Sequence, residues 1–166
     1  MEFNFYPWKL EIDVEKTRAL YAKETFAVDE EANQILLSKL TKEQRDFLDS
    51  LGVDPAKIQV HKKEYDLSEE ECEEKELHSL EVAFLVCGKF LSAPADQIEM
   101  YKDEDVYGRN IVPEELEIEM IDTDELFAPI EFGIGLRFKH PVSHFSGDEY
   151  MSWDCGYVCG STIFYY

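Results

Sequence analysis

A chain of 166 residues, 45% of them apolar and 13% aromatic, has the length and apolar content for one compact domain, which excludes a globally disordered protein. Its 37 Asp and Glu stand against 16 Lys and Arg, a net charge of −21, which excludes a nucleic-acid binder built on a basic stripe and argues against docking on an anionic membrane. No run reaches the ~18 apolar residues of a membrane helix, the start MEFNFYPWKLEID lacks the pattern of a secretory signal, and 4 cysteines do not make a disulfide scaffold, so the expectation is a cytoplasmic protein with free thiols.

The first 63 residues are nearly charge-balanced and read as helical. Asp13 can cap a helix running to about Lys23, with Glu15 in its first turn. Asp29 can cap a second, with Ala32, Ile35, Leu36 and Leu40 on one face. Thr41 and Gln44 make a T-x-x-Q capping box, Phe47, Leu48 and Leu51 form the apolar stripe behind it, and Gly52 is the stop. Two helices meeting at Leu40 and Thr41 suggest a short helical hairpin. The Tyr6–Trp8 region shows no clear periodicity.

After Asp54-Pro55 the period changes. Ile58 and Val60 suggest a short strand, and the acidic run 64–76, with no apolar face, reads as a solvated loop or a frayed helix. Residues 79–91 put Leu80, Val82, Phe84 and Val86 on one face and Ala83, Leu85 and Cys87 on the other, the pattern of a strand in the middle of a covered sheet. Residues 115–121 alternate strictly, with Leu116, Ile118 and Met120 inward and three glutamates outward; a helix starting at Pro113 is the alternative. Residues 130–139 predict a strand with Ile130, Phe132, Ile134, Leu136 and Phe138 on one face and Gly133 and Gly135 leaving a bare strip on the other. A last strand spans about 161–166. The expected fold class is α+β, with N-terminal helices packed on a largely antiparallel sheet. The chain reads as a single domain over 1–166, its helical part about 1–55 and its mostly strand part about 56–166.

Charge is unevenly placed. Residues 64–76 hold 8 acids and 1 base, and residues 96–125 hold 12 acids and 2 bases, so the two segments supply −17 of the −21. A local concentration of this kind attracts basic proteins, whereas an evenly spread excess would serve solubility alone. Glu69, Glu70, Glu71, Glu73, Glu74, Glu115, Glu117 and Glu119 are the candidate partner-binding residues.

Three motifs compete for chemistry. Cys155 and Cys159 have C-x-x-x-C spacing between strand-like flanks, unlike the C-x-x-C at a helix start that favours a redox thiolate. Gly156 and Gly160 fit instead the positive φ of a tight turn. His140, His144, Cys155 and Cys159 are four residue types zinc accepts, but Pro141 separates the histidines from a shared helix face. Residues 103–114 match an EF-hand loop at Asp103, Asp105, Gly108 and Glu114, and depart from it at Tyr107 and Asn110. No phosphate loop, dinucleotide fingerprint, H-E-x-x-H or G-x-S-x-G is present. The C-G-x-x-C-G end resembles the ends of some small bacterial proteins, over a short stretch that implies no activity.

The expectation is therefore a non-enzymatic binding protein with no cofactor, directed at a basic protein rather than nucleic acid or membrane. An immunity protein that inhibits a basic nuclease toxin is the concrete type. A metal-binding domain or metal-supported enzyme, and a structural domain whose acid serves solubility, are the alternatives.

Overall fold

The computed structural model describes residues 1–23, 28–65, 67–76, 78–95, 119–121, 132–139 and 156–166. It is an α+β fold in which N-terminal helices pack on a largely antiparallel sheet. The chain opens on a hairpin, β1 (Glu2–Phe5) and β2 (Trp8–Ile12), turning at the cis Tyr6-Pro7 bond. The helices follow: α1 (Val14–Lys23), α2 (Glu30–Lys39) and α3 (Lys42–Ser50). A 3-10 turn (Pro55–Lys57) leads to β3 (Gln59–Lys62), α4 (Glu69–Glu74) and the 16-residue β4 (Ser79–Pro94). β5 (Glu119–Ile121), β6 (Ile134–Lys139) and β7 (Tyr157–Tyr165) complete the described elements.

The opening hairpin corrects the expectation of a helical part over 1–55. Trp8, Leu10 and Ile12 are buried and alternate with Lys9 and Glu11, a period of two that a half-buried strand requires.

β4 is the spine of the sheet. The path runs β1-β2-β4-β7-β6, and β3 and β5 also pair with β4. Among the described residues only the β4–β5 pair is parallel. β7 lies along nine residues of one edge, from Ser79↔Tyr165 to Cys87↔Tyr157. On the other edge β3 pairs with Leu80–Ala83 and β2 with Gly88–Ser92. Both faces of β4 are buried through its centre, which is why its sequence is apolar in both phases.

The core is rich in phenylalanine. Phe84 of β4 meets Phe47 of α3, Phe132, and Phe138 of β6 edge-on, with ring centroids 5.9–6.5 Å apart, and Phe138 stacks on Phe5 at 5.2 Å. Burying one such ring contributes about 2–3 kcal/mol, and each edge-to-face contact about 1 kcal/mol more.

The helix starts follow the caps in the sequence. The Asp13 carboxylate accepts from the Lys16 N–H, and that of Asp29 from the Ala32 N–H. Both halves of the Thr41–Gln44 box form. Gly52 (φ +80°) ends the turn after α3, and a Cβ there would stand 2.4 Å from the Val14 carbonyl oxygen, so α1 can approach only glycine. The helical hairpin at Leu40 and Thr41 is a corner rather than a packed pair: α2 lies against β3 and the 3-10 turn.

Two strand readings change. Ile134, placed inward by sequence, is 57% exposed. Gly133 (φ +62°) and Gly135 (φ +63°) flank it, and the register against β7 shifts between Ile134 and Arg137. This bulge moves Ile134 to the outer face while Phe132, Leu136 and Phe138 stay buried. The last strand begins at Tyr157, four residues earlier than expected, because Gly160 is not at a turn. It sits opposite Phe84, whose Cζ would be 2.2 Å from a Cβ at that position. Gly160 gives room to a ring, and Gly156 alone of the pair has positive φ.

Candidate functional site

The acidic run 64–76 forms the six-residue helix α4. Tyr65 and Ser79, at its two flanks, share a hydroxyl–hydroxyl hydrogen bond of 2.8 Å. The Lys63 N–H donates to the Ser79 carbonyl at 2.9 Å. The excursion is thus pinned where it leaves and rejoins the sheet.

α4 starts on a second capping box. The Glu71 N–H donates to the Ser68 hydroxyl at 3.2 Å, and the Ser68 N–H returns a bond to the Glu71 carboxylate at 3.0 Å. Bonds from the Ser68 backbone and hydroxyl hold the Glu71 carboxyl below its ordinary range. The S-x-x-E pattern carries the same information as the T-x-x-Q of α3, and would have distinguished helix from loop in the sequence. Glu71 is therefore committed to its own helix, unlike its four neighbours.

Glu69, Glu70, Glu73 and Glu74 are exposed. Glu69 and Glu73, and Glu70 and Glu74, are spaced four apart on one helix face, where like charges repel. The helix ends at Glu74 with no basic residue in its last turn; Lys75 caps it, and Glu76 follows in the left-handed region (φ 52°). Among the described residues six ion pairs form, and all lie elsewhere: Lys9–Glu2, Arg18–Glu15, Arg18–Asp49, Lys42–Asp46, Lys62–Glu31 and Lys89–Glu11. Glu31 also raises the Lys62 ammonium above its usual value, chiefly through their hydrogen bond.

The second acidic segment attaches at the far end of the spine. α4 leads into the first residue of β4, whereas the backbone of Glu119 pairs beside Ser92. Ser79 and Ser92 are separated by roughly 40 Å along an extended strand. Glu115 and Glu117 lie outside the described residues.

The metal candidates fare as follows. Cys159 lies fully buried in the first half of β7, opposite Leu85. His140, His144 and Cys155 lie outside the described residues, as do Asp103, Asp105 and Glu114. Among the described residues no group of three or more His, Cys, Asp or Glu could hold a metal ion; Cys72 is half-buried and Cys87 is buried. An open groove between α1 and α3 is lined by Arg18, Arg45, Asp46, Asp49 and Asp54. Its arginines are already engaged, Arg18 with Asp49 and Arg45 with the Leu37 carbonyl. No helix among the described residues is long and apolar enough to cross a membrane.

Comparison of the chain with known protein families, curated proteins and solved structures finds no match.

Proposed function

We propose that this chain is a non-enzymatic, acidic protein-binding domain, and most concretely an inhibitor of the immunity-protein type directed at a basic partner such as a nuclease toxin. One observation supports this reading: Glu69, Glu70, Glu73 and Glu74 stand exposed and mutually repelling, without an ion pair among the described residues, on a helix that buries no residue. A cationic surface would relieve that repulsion. A nuclease site is basic because it holds phosphate, and carboxylates can occupy the same positions and speed encounter by steering. Glu115, Glu117 and Glu119 are further candidate contacts on the same reading.

The test is native mass spectrometry of the protein isolated from its host at low salt, beside a variant with Glu69, Glu70, Glu73 and Glu74 replaced by lysine. A basic protein retained by the wild type, lost at high salt and absent from the folded variant supports the reading. Association of the identified partner should then slow by about tenfold or more in the variant. A chain that carries no basic protein at low salt, or a variant that retains it equally, overturns the assignment to α4.

A further inference from the structure

The β2 and β3 edge of β4 has a gap, and α1 fills it. β3 stops at Ala83 and β2 starts at Gly88. Between them the Tyr21 hydroxyl donates to the Leu85 carbonyl at 3.0 Å and accepts from the Leu85 N–H at 3.1 Å. The Cys87 N–H donates to the Thr17 hydroxyl at 3.0 Å, and the Asp13 N–H donates to the Cys87 carbonyl at 2.9 Å. The Thr17 hydroxyl donates in turn to the Asp13 carbonyl at 2.8 Å. The spacings match: four residues of helix rise ~6.0 Å, close to the ~6.6 Å between alternate residues of a strand. One stripe, from the Asp13 cap through Thr17 and Tyr21 of α1, therefore stands in for the missing strand.

The fastening differs from that of the other helices. The buried residues of α1 are Thr17 and Tyr21, both hydroxyl-bearing, whereas α3 buries Phe47 and Leu48. Val14 and Leu20 of α1 add only half-buried contacts. On its outer side α1 is tied by Arg18, which donates to the Asp49 carbonyl of α3 at 3.1 Å, and by the Lys57 ammonium, which donates to the Tyr21 carbonyl.

We infer that α1 is a strap over the β4 edge that opens as a unit, without unfolding of the sheet, and bares the backbone groups of Leu85 and Cys87. Segments held by few buried apolar contacts open at lower free energy than the core around them. β4 supplies its own control. Successive residues of a strand point their N–H groups to opposite edges, and the Gly88 N–H reaches the Gly156 carbonyl of the β7 side. Phe84 and Val86 therefore face β7, while Leu85 and Cys87 face the strap.

Amide exchange of the full chain, read residue by residue by NMR, tests this. Leu85 and Cys87 should exchange at one common opening rate, at least about tenfold faster than Phe84 and Val86. Arg18→Ala touches neither amide's hydrogen bond, and its side chain is 47% exposed, so the variant is expected to fold. It should speed both amides by about threefold and leave Phe84 and Val86 unchanged. Tyr21→Phe, if it folds, should speed both amides by about tenfold. Protection of Leu85 and Cys87 equal to that of Phe84 and Val86 would overturn the inference, as would an Arg18→Ala protein in which neither amide moves.

Discussion

Helices α3 and α4 begin alike and end in different places. Each opens on a capping box, Thr41 with Gln44 and Ser68 with Glu71. α3 turns Phe47 and Leu48 into the core, whereas α4 buries no residue and shows water a row of glutamates. A cap fixes where a helix starts and states nothing about whether the helix belongs to the core. That second decision rests with the apolar stripe, which α3 has and α4 lacks.

Four changes would break or sharpen this contrast. The largest effect belongs to Phe47→Ala, which removes a ring packed on Phe5, Phe84 and Phe132. It should lower the unfolding free energy by about 3–5 kcal/mol, measured by urea denaturation at unchanged slope. A loss below about 1 kcal/mol would place α3 outside the cooperative core. Thr41→Ala should lower the same quantity by about 1 kcal/mol. Ser68→Ala removes the matching cap from α4 and should leave the urea midpoint in place, while the Glu71 and Cys72 amides exchange faster. A midpoint that moves as far as in Thr41→Ala would make the two helices equivalent after all.

The smallest effect is a pH dependence. The Glu71 carboxyl is held below its ordinary value, first by the Ser68 backbone N–H and then by the Ser68 hydroxyl. A depressed folded-state pKa contributes stability that is present above the ordinary Glu value and lost as pH falls through the lowered one. The cap of α4 should therefore weaken on acidification below the ordinary carboxylate range. Protonating the other glutamates acts in the opposite sense by easing their repulsion. Glu71→Gln isolates the first effect, because glutamine accepts the same N–H and does not titrate there. In amide exchange against pH, the acid weakening of α4 should be larger in the wild type than in the variant; matching profiles would free Glu71 from the cap.

Much of the architecture was legible in the residues. The caps at Asp13, Asp29 and Thr41 act over three or four positions, so a local reading finds them. The double apolar phase of 79–91 likewise announces a covered strand. What escaped depends on distant partners. Ile134 faces outward because of a bulge against β7, and Gly160 is glycine because of the Phe84 ring far earlier in the chain. Thr17 and Tyr21 look like surface polar positions until the gap between β2 and β3 brings them to a strand edge. At the candidate site the acid run was plain, but the commitment of Glu71 to a cap was visible only in an S-x-x-E pattern hidden among glutamates.

The length of β4 has a consequence for how the chain reaches this state. Lys9 must find Ser92, and Ser79 must find Tyr165, before either half of the sheet exists. Pairings so distant in sequence make for slow folding, because loop entropy is lost before contacts compensate for it. During synthesis the β1–β2 hairpin and then helices α1 to α3 appear before β4, the strand that joins the sheet they lie on. β4 then emerges apolar on both faces and waits for β7, the last strand described. A segment of that composition, unpaired, is the place where nascent chains would stick to one another. The acid of residues 64–76 and 96–125, all of it made before β7, sets copies against one another while β4 waits.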